Sequence, residues 1–144
     1  MLTQVSSGSI ITQEDISMSD SKTTLQELKN GIKKFVKDRD WEQYHSPKNL
    51  SMSIAIEAAE LMEMFQWLTV EESCQTLKNK QSLKEIEQEL ADIALYVLDF
   101  CSIYDIDLSS AILKKLKTNA RKYPKKLVKG KAHKYTYYAK GKND

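Results

Sequence analysis

Apolar residues recur at three- and four-residue spacing along most of the chain, and no segment shows the two-residue alternation typical of a strand. The first such segment follows Thr24, which forms a capping box with Glu27, and we predict a helix there that ends near Arg39. Before it, residues 1–21 are rich in Ser, Thr, Gln and Asp and lack a sustained period. We therefore expect a mobile N-terminal leader.

Four further helices are predicted after a polar connector, Asp40 to Ser46. They run from Pro47 to Trp67, from Thr69 to about Leu77, from Ser82 to about Tyr104, and from Asp107 to Lys122. Ser46 and Asp107 suit N-caps, and two further capping boxes pair Thr69 with Glu72 and Ser82 with Glu85. Pro124 ends the last helix, so we expect a helical domain over 22–124 and a basic, loosely ordered tail over 125–144.

The predicted fold class is all-α, a bundle of four to five helices. Several apolar residues lie off the main apolar stripes and would stay uncovered in a single copy of such a bundle; they are Met52, Met62, Leu95 and Leu98. We therefore expect oligomerisation, as a homodimer or homotetramer, to complete the bundle.

Charge and cysteine content narrow the class of protein. The 22 basic and 20 acidic residues leave a net charge of +2, so overall charge gives no reason to expect a nucleic-acid or membrane partner. No apolar run approaches the roughly 18 to 20 residues that span a bilayer, and no secretory signal pattern opens the chain. Cys74 and Cys101 stand far apart, which argues against a disulfide framework and a zinc site. A soluble, cytoplasmic protein is expected.

Two pairs of acids lie on apolar helix faces. At 100° per residue, Glu57 falls within the apolar stripe of its helix and Glu60 lies about 60° away. Glu89 and Asp92 repeat this arrangement in the long helix. A carboxylate facing a core is costly unless it is paired or bound to a cation, and neither stripe contains Lys or Arg. If the two helices pack side by side, the four acids converge and require a cation.

The ligand type suggests which cation. Carboxylate-bridged di-iron bundles use motifs that end in His, whereas these motifs end in Glu or Asp, and the two histidines, His45 and His133, lie elsewhere. An all-oxygen site favours Mg²⁺, with Mn²⁺ as a substitute. Because Mg²⁺ commonly shares its coordination shell with substrate phosphates, the acids indicate phosphate chemistry.

Four segments resemble the MazG-like all-α nucleoside triphosphate pyrophosphatases, especially the small dCTP-pyrophosphatase-type members. The segments are DRDWEQYHSPKNL (38–50), EAAELMEMFQW (57–67), EQELADIALYVL (87–98) and KLKTNARKYP (115–124). The resemblance implies a catalytic domain with Glu57, Glu60, Glu89 and Asp92 as Mg²⁺ ligands. It also implies hydrolysis of dCTP or a related nucleotide between the α and β phosphates, in house-cleaning of the nucleotide pool.

The resemblance also extends to residues around the metal and the substrate. A metal-activated water needs an acid near the cluster to take its proton, and by position Glu60 and Glu63 are candidates. Four residues stand where related enzymes line a base pocket, namely Trp41, His45, Trp67 and Tyr96. Lys115, Asn119 and Arg121 match a segment that contacts the triphosphate and sugar. Ile32 stands where animal dCTP pyrophosphatases carry a pocket His, so the base preference stays open between cytosine, a purine and a modified base.

Two alternatives remain at this point. From Arg121 onward there are nine basic residues and one acid, Asp144, and the tyrosines among them would suit a nucleic-acid-binding arm. A solubilising tail, or one that packs on a neighbouring subunit, explains the same charges. The second alternative is a non-catalytic helical module whose acids hold a structural cation.

Overall fold

The computed structural model describes residues 19–132 and 135–139, and every regular element in these ranges is helical, which confirms the predicted all-α class. The helices are α1 (Leu25–Lys37), α2 (Pro47–Glu63), α3 (Val70–Thr76), α4 (Lys80–Ile103), α5 (Leu108–Lys122), α6 (Lys125–Val128) and α7 (Tyr135–Ala139). A single 3₁₀ turn, Glu42–Tyr44, lies in the connector between α1 and α2. None of the helices in the described ranges is both long and apolar enough to cross a membrane.

Two predicted capping boxes are confirmed. The backbone N–H of Glu27 donates to the Thr24 hydroxyl, and the Glu27 carboxylate accepts a hydrogen bond from the Thr24 backbone at 2.7 Å. Thr69 and Glu72 form the same pair of bonds at the start of α3. Each box satisfies donors at the first turn that the helix itself leaves unpaired.

The long helix α4 begins earlier than predicted, because Asn79 and not Ser82 is its N-cap. The Asn79 side chain accepts hydrogen bonds from the backbone N–H groups of Gln81 and Ser82, so Ser82 lies within the first turn. Glu85, the predicted partner of Ser82, accepts a hydrogen bond from the Gln81 side chain instead. The predicted caps at Ser46 and Asp107 are confirmed.

Helix α2 ends at Glu63, so the prediction that it reaches Trp67 was wrong. Beyond Glu63 the chain tightens into turns in which Phe65 N–H donates to Met62 O and Leu68 N–H donates to Phe65 O, each at 3.0 Å. Such three-residue bonds replace the four-residue bonds of an α-helix at helix ends. Trp67 therefore lies in a turn.

The described residues form two compact units, the first ending at Ile106 and the second beginning at Asp107. In the first unit α4 packs against both α1 and α2. The buried apolar side chains follow this seam: they are Val36 of α1, Leu50 of α2, and Ile86, Leu98 and Cys101 of α4. The expectation that Leu98 stays uncovered in a single copy was therefore wrong. Helix α4 is thus the central element of the first unit.

The predicted helical domain, 22–124, spans the boundary between the two units. The predicted leader, 1–21, lies outside the described residues except for 19–21. Within the predicted tail, the described part includes α6 and α7, while 133–134 and 140–144 lie outside it.

Candidate active site

Helices α2 and α4 bring three carboxylates together. Glu57 and Glu60 come from α2 and Glu89 comes from α4, and one carboxylate oxygen from each lies within 4.8 Å of the others. Glu57 and Glu89 are half-buried, whereas Glu60 is exposed. The three-residue spacing on α2 places both of its acids on one face, and the packing of α2 against α4 supplies the third.

The electrostatics of this group extend to Asp92. Burial raises the pKa of the Glu57 carboxyl above 4.5, and the negative charges of Glu60, Asp92 and Glu89 raise this pKa further. Among the described residues, none of the four carboxylates has a basic side chain within ion-pair distance. The repulsion is therefore not relieved by an ion pair within the described part of the chain. An all-oxygen set of this kind fits a hard divalent cation such as Mg²⁺.

A cavity of about 820 Å³ lies between α1, the connector and α4. Three of the four predicted base-pocket residues line it, namely Trp41, His45 and Tyr96. Much of the remaining wall is apolar and is formed by Leu28, Ile32, Phe35, Val36 and Leu95. Asp92 lines the same cavity, so the cavity adjoins the group of carboxylates. A volume of this size is typical of small-molecule sites.

Trp41 presents a partly exposed aromatic face at this cavity. Its indole packs edge-to-face against Phe35, with ring centroids 5.9 Å apart, and 44% of the residue remains exposed. The guanidinium of Arg39 lies 3.6 Å from the centroid of the Phe35 ring and 5.9 Å from that of the Trp41 ring, so it contacts the pair. The arrangement holds an aromatic surface in place that could stack on a flat ring.

Trp67, the fourth predicted base-pocket residue, does not line the cavity, and 87% of it is exposed. Glu63 is the last residue of α2, is exposed, and does not belong to the group of three close carboxylates. The structure thus separates these two residues from the other candidates of the first unit.

The predicted triphosphate contacts lie on α5, in the second unit. Lys115 and Asn119 are one helical turn apart and share a face, and Asn119 is half-buried. Arg121 is exposed and lies in the last turn of α5. Their contact with a triphosphate stays a prediction.

Sequence reasoning missed Asp99, which also lines the cavity. Only 3% of Asp99 is exposed, and its Oδ2 lies 2.5 Å from Nδ1 of His45. A signal was present, because Asp92, Tyr96 and Asp99 follow one another at four- and three-residue spacing and so share one face of α4. Asp99 is not part of an acid pair at three-residue spacing, which is the pattern that marks the other acids.

The chain was compared with known proteins. The model of the MazG-like family matches residues 52–137. The dCTP pyrophosphatase 1 of Bos taurus is 37% identical over 116 residues, which cover 81% of this chain and 69% of that protein. The dCTP pyrophosphatase 1 of Rattus norvegicus is 33% identical over 118 residues, or 82% and 69% of the two chains.

A solved structure supports the same relationship. The crystal structure of a pyrophosphatase from Archaeoglobus fulgidus superposes with a TM-score of 0.66 at 37% identity, over 75% of this chain and 99% of that one. The family match covers more than half of the sequence and includes both pairs of acids. The chain therefore belongs to the MazG-like family.

Proposed function

We propose that the protein hydrolyses deoxynucleoside triphosphates between the α and β phosphates in a Mg²⁺-dependent reaction, giving a monophosphate and pyrophosphate. Its family and its dCTP pyrophosphatase relatives make it a nucleoside triphosphate pyrophosphohydrolase. The observation that carries the metal dependence is the approach of Glu57, Glu60 and Glu89 to within 4.8 Å. We propose dCTP or a related deoxynucleotide as the substrate.

Glu57, Glu60, Glu89 and Asp92 would hold the metal. The raised pKa of Glu57 supports this assignment, because it reports a negative field that a divalent cation would relieve. When bound, Mg²⁺ supplies a positive charge that acidifies water and neutralises phosphate oxygens. Mn²⁺ would substitute, since it accepts the same oxygen ligands.

The chain's own residues would orient the substrate and take up a proton. Glu60 is the more exposed member of the carboxylate group and is one candidate for the proton acceptor; Glu63, one turn further along α2, is the other. In the cavity, Trp41 and Tyr96 would contact the base together with His45. Trp67, Lys115, Asn119 and Arg121 are proposed as further substrate contacts, the last three to the triphosphate and sugar.

The active form is proposed to be a homodimer or homotetramer. Its support is the exposed apolar surface of α2 and the following turn, where Met52 and Ile56 are each 53% exposed, Met62 is 68% exposed and Trp67 is 87% exposed. Apolar side chains that are this exposed and this close in sequence are typical of an interface. A second copy covering α2 would also enclose the exposed Trp67.

We further propose that the reaction serves house-cleaning of the nucleotide pool in the cytoplasm. Both cysteines are free thiols, Cys74 exposed and Cys101 buried, which suits a reducing compartment.

The test is pyrophosphate release with Mg²⁺ from each of the common deoxynucleoside and ribonucleoside triphosphates. Wild type should release pyrophosphate and a monophosphate, whereas Glu57→Gln and Glu89→Gln should lose activity by at least about a hundredfold, as expected for disrupted metal sites. Glu87→Gln is the matched control, because Glu87 is exposed on α4 and points away from Glu89.

The hydrolysis products distinguish the proposed reaction from the alternative functions. Release of inorganic phosphate in place of pyrophosphate would contradict cleavage between the α and β phosphates. Full activity in Glu57→Gln would contradict the metal assignment. Metal-dependent melting without turnover of any nucleotide would favour the non-catalytic helical module.

A further inference from the structure

His45 is fixed to α4 by two hydrogen bonds. Its ring Nδ1 lies 2.5 Å from Oδ2 of Asp99, and its backbone carbonyl accepts a hydrogen bond of 3.5 Å from the Tyr104 hydroxyl. The Asp99 side chain is 4% exposed and the His45 side chain is 14% exposed. The imidazole is therefore held between its backbone and a buried carboxylate, in the wall of the cavity.

The second ring nitrogen of His45, Nε2, is free to meet a ligand. It forms no hydrogen bond with the described residues. Among those residues, the only buried side-chain nitrogen or oxygen without a hydrogen-bond partner is Thr23 Oγ1, so Nε2 must be accessible. Nε2 is thus an accessible polar atom on a largely apolar wall.

The polar groups around the cavity are mostly hydrogen-bond acceptors. Four carboxylate residues line it, namely Asp20, Glu27, Asp92 and Asp99, of which Glu27 is bonded to Thr24 and Asp99 to His45; the one cationic residue is Lys34. The Lys34 ammonium is already paired with Asp38 at 2.6 Å. A ligand that brings hydrogen-bond donors is therefore the better match.

The tautomer of a neutral His45 ring follows from its partner. An ionised carboxylate can only accept, so the Nδ1–H group donates to Asp99. In a neutral imidazole the other nitrogen then carries a lone pair and is an acceptor. Asp99 thereby fixes Nε2 as an acceptor.

We propose that Asp99 is a positioning residue that acts through His45 to favour bases with an exocyclic amino group, cytosine or adenine, over bases with a keto group at that position. The proposal rests on the proposed function and adds a specificity determinant to it. Nε2 accepts a hydrogen bond from the amino group, whereas a keto oxygen facing Nε2 leaves two acceptors opposed. His45 can recognise the amino group even though Ile32, in the same cavity wall, has no side-chain group that forms a hydrogen bond.

The test compares kcat/KM for dCTP and dUTP, because the two bases differ only in the amino or keto group at C4 and in the proton that uracil carries on the adjacent N3. Wild type should prefer dCTP, and Asp99→Leu should lower the dCTP to dUTP ratio about tenfold, the value of one lost hydrogen bond in a desolvated site. The double variant His45→Phe with Asp99→Leu removes both partners and so leaves no buried unpaired charge. The double variant should lower the dCTP to dUTP ratio as much as Asp99→Leu does. It keeps the test valid if Asp99→Leu fails to fold.

Leu98→Ala is the matched control for packing alone. Leu98 neighbours Asp99 on α4 and is 6% exposed, but it does not line the cavity. This variant should lose stability while keeping the wild-type ratio. An unchanged ratio in both Asp99 variants, with the two rates reduced alike, would overturn the inference and leave the proposed function intact. A wild type that hydrolyses no nucleotide would overturn both.

A measurement without substrate gives an independent readout. The chain has two histidines, so ¹⁵N spectra of the imidazoles can be assigned by comparison with His45→Gln. His45 should be the Nδ1–H tautomer in wild type and should become a tautomer mixture in Asp99→Leu. A wild-type ring protonated at Nε2 would overturn the inference.

Discussion

Glu57 on α2 and Glu89 on α4 bring carboxylate oxygens to within 4.8 Å of each other with no basic side chain among the described residues in ion-pair contact with either. Two negative groups at this separation repel each other, and partial burial strengthens the repulsion. The first unit therefore folds with an unfavourable electrostatic contribution at the site where the chemistry is proposed. Stability that is given up at a functional site can be recovered when a ligand binds.

Removing the charge of Glu57 should stabilise the metal-free protein at neutral pH. Because the folded-state pKa of Glu57 is raised above 4.5, its contribution favours folding below that value and is lost as the pH rises through the folded pKa. Glu57→Gln should therefore melt at a higher temperature than wild type in EDTA at neutral pH, and the difference should shrink in acid. Thermal unfolding across a pH series measures this, with Glu87→Gln as the control. A lower melting temperature for Glu57→Gln at neutral pH would contradict the repulsion argument.

Adding Mg²⁺ should reverse that order. A ligand that binds only the folded state stabilises it by about 2.7 kcal/mol at a hundred times its Kd. Wild type should gain melting temperature as MgCl₂ is titrated, and EDTA should remove the gain. Glu57→Gln and Glu89→Gln should gain far less. Equal gains in wild type and in both variants would mean that the ion binds elsewhere.

Substitutions at the start of helix α4 test whether Asn79 is its N-cap. Asn79→Ala should cost about 1 kcal/mol of unfolding free energy, because Asn79 accepts the bonds of the first turn. Ser82→Ala should change the stability by less than about 0.5 kcal/mol, since Ser82 lies inside the helix, where Ala is favoured. Urea unfolding followed by circular dichroism distinguishes the two variants. The assignment of Asn79 as the cap would be wrong if Ser82→Ala were the more damaging change.

A charge on the exposed face of α2 should disrupt the proposed oligomer. Ile56→Lys and Met62→Lys place a cation on side chains that are 53% and 68% exposed in the single chain, so their effect on the isolated fold should be small. Light scattering coupled to size-exclusion chromatography should give a dimer or tetramer for wild type and a smaller species for the variants. Gln26→Lys, at an exposed position on α1, is the control. A monomeric wild type would exclude the proposed assembly.

Local interactions account for what could be predicted from the sequence. The helix starts at Thr24 and Thr69 depend on side chains within three residues of each other, so the capping pattern alone predicts them. The predicted end of α2 was wrong because apolar residues continue through Trp67. Their periodicity does not reveal where the four-residue hydrogen bonds of an α-helix give way to three-residue bonds.

The candidate site was predictable only as far as it depends on local spacing within one helix. Each pair of acids was visible on its own helix, but their convergence depends on the packing of α2 against α4, which is a tertiary property. The spacing of Asp99 from Asp92 and Tyr96 places it on the same face of α4, but its pairing with His45 is a tertiary contact between residues 54 positions apart.

Helix α4 carries Glu89, Asp92, Tyr96 and Asp99 along one face. Ten residues of helix span about 15 Å, so the acids Glu89 and Asp92 and the buried Asp99 are separated by a rigid spacer and not by a loop. Neither end of this segment can shift along the helix axis without the other. The distance between Glu89 and Asp99 is therefore fixed by the rise of a single helix, because its backbone offers no hinge between these two residues.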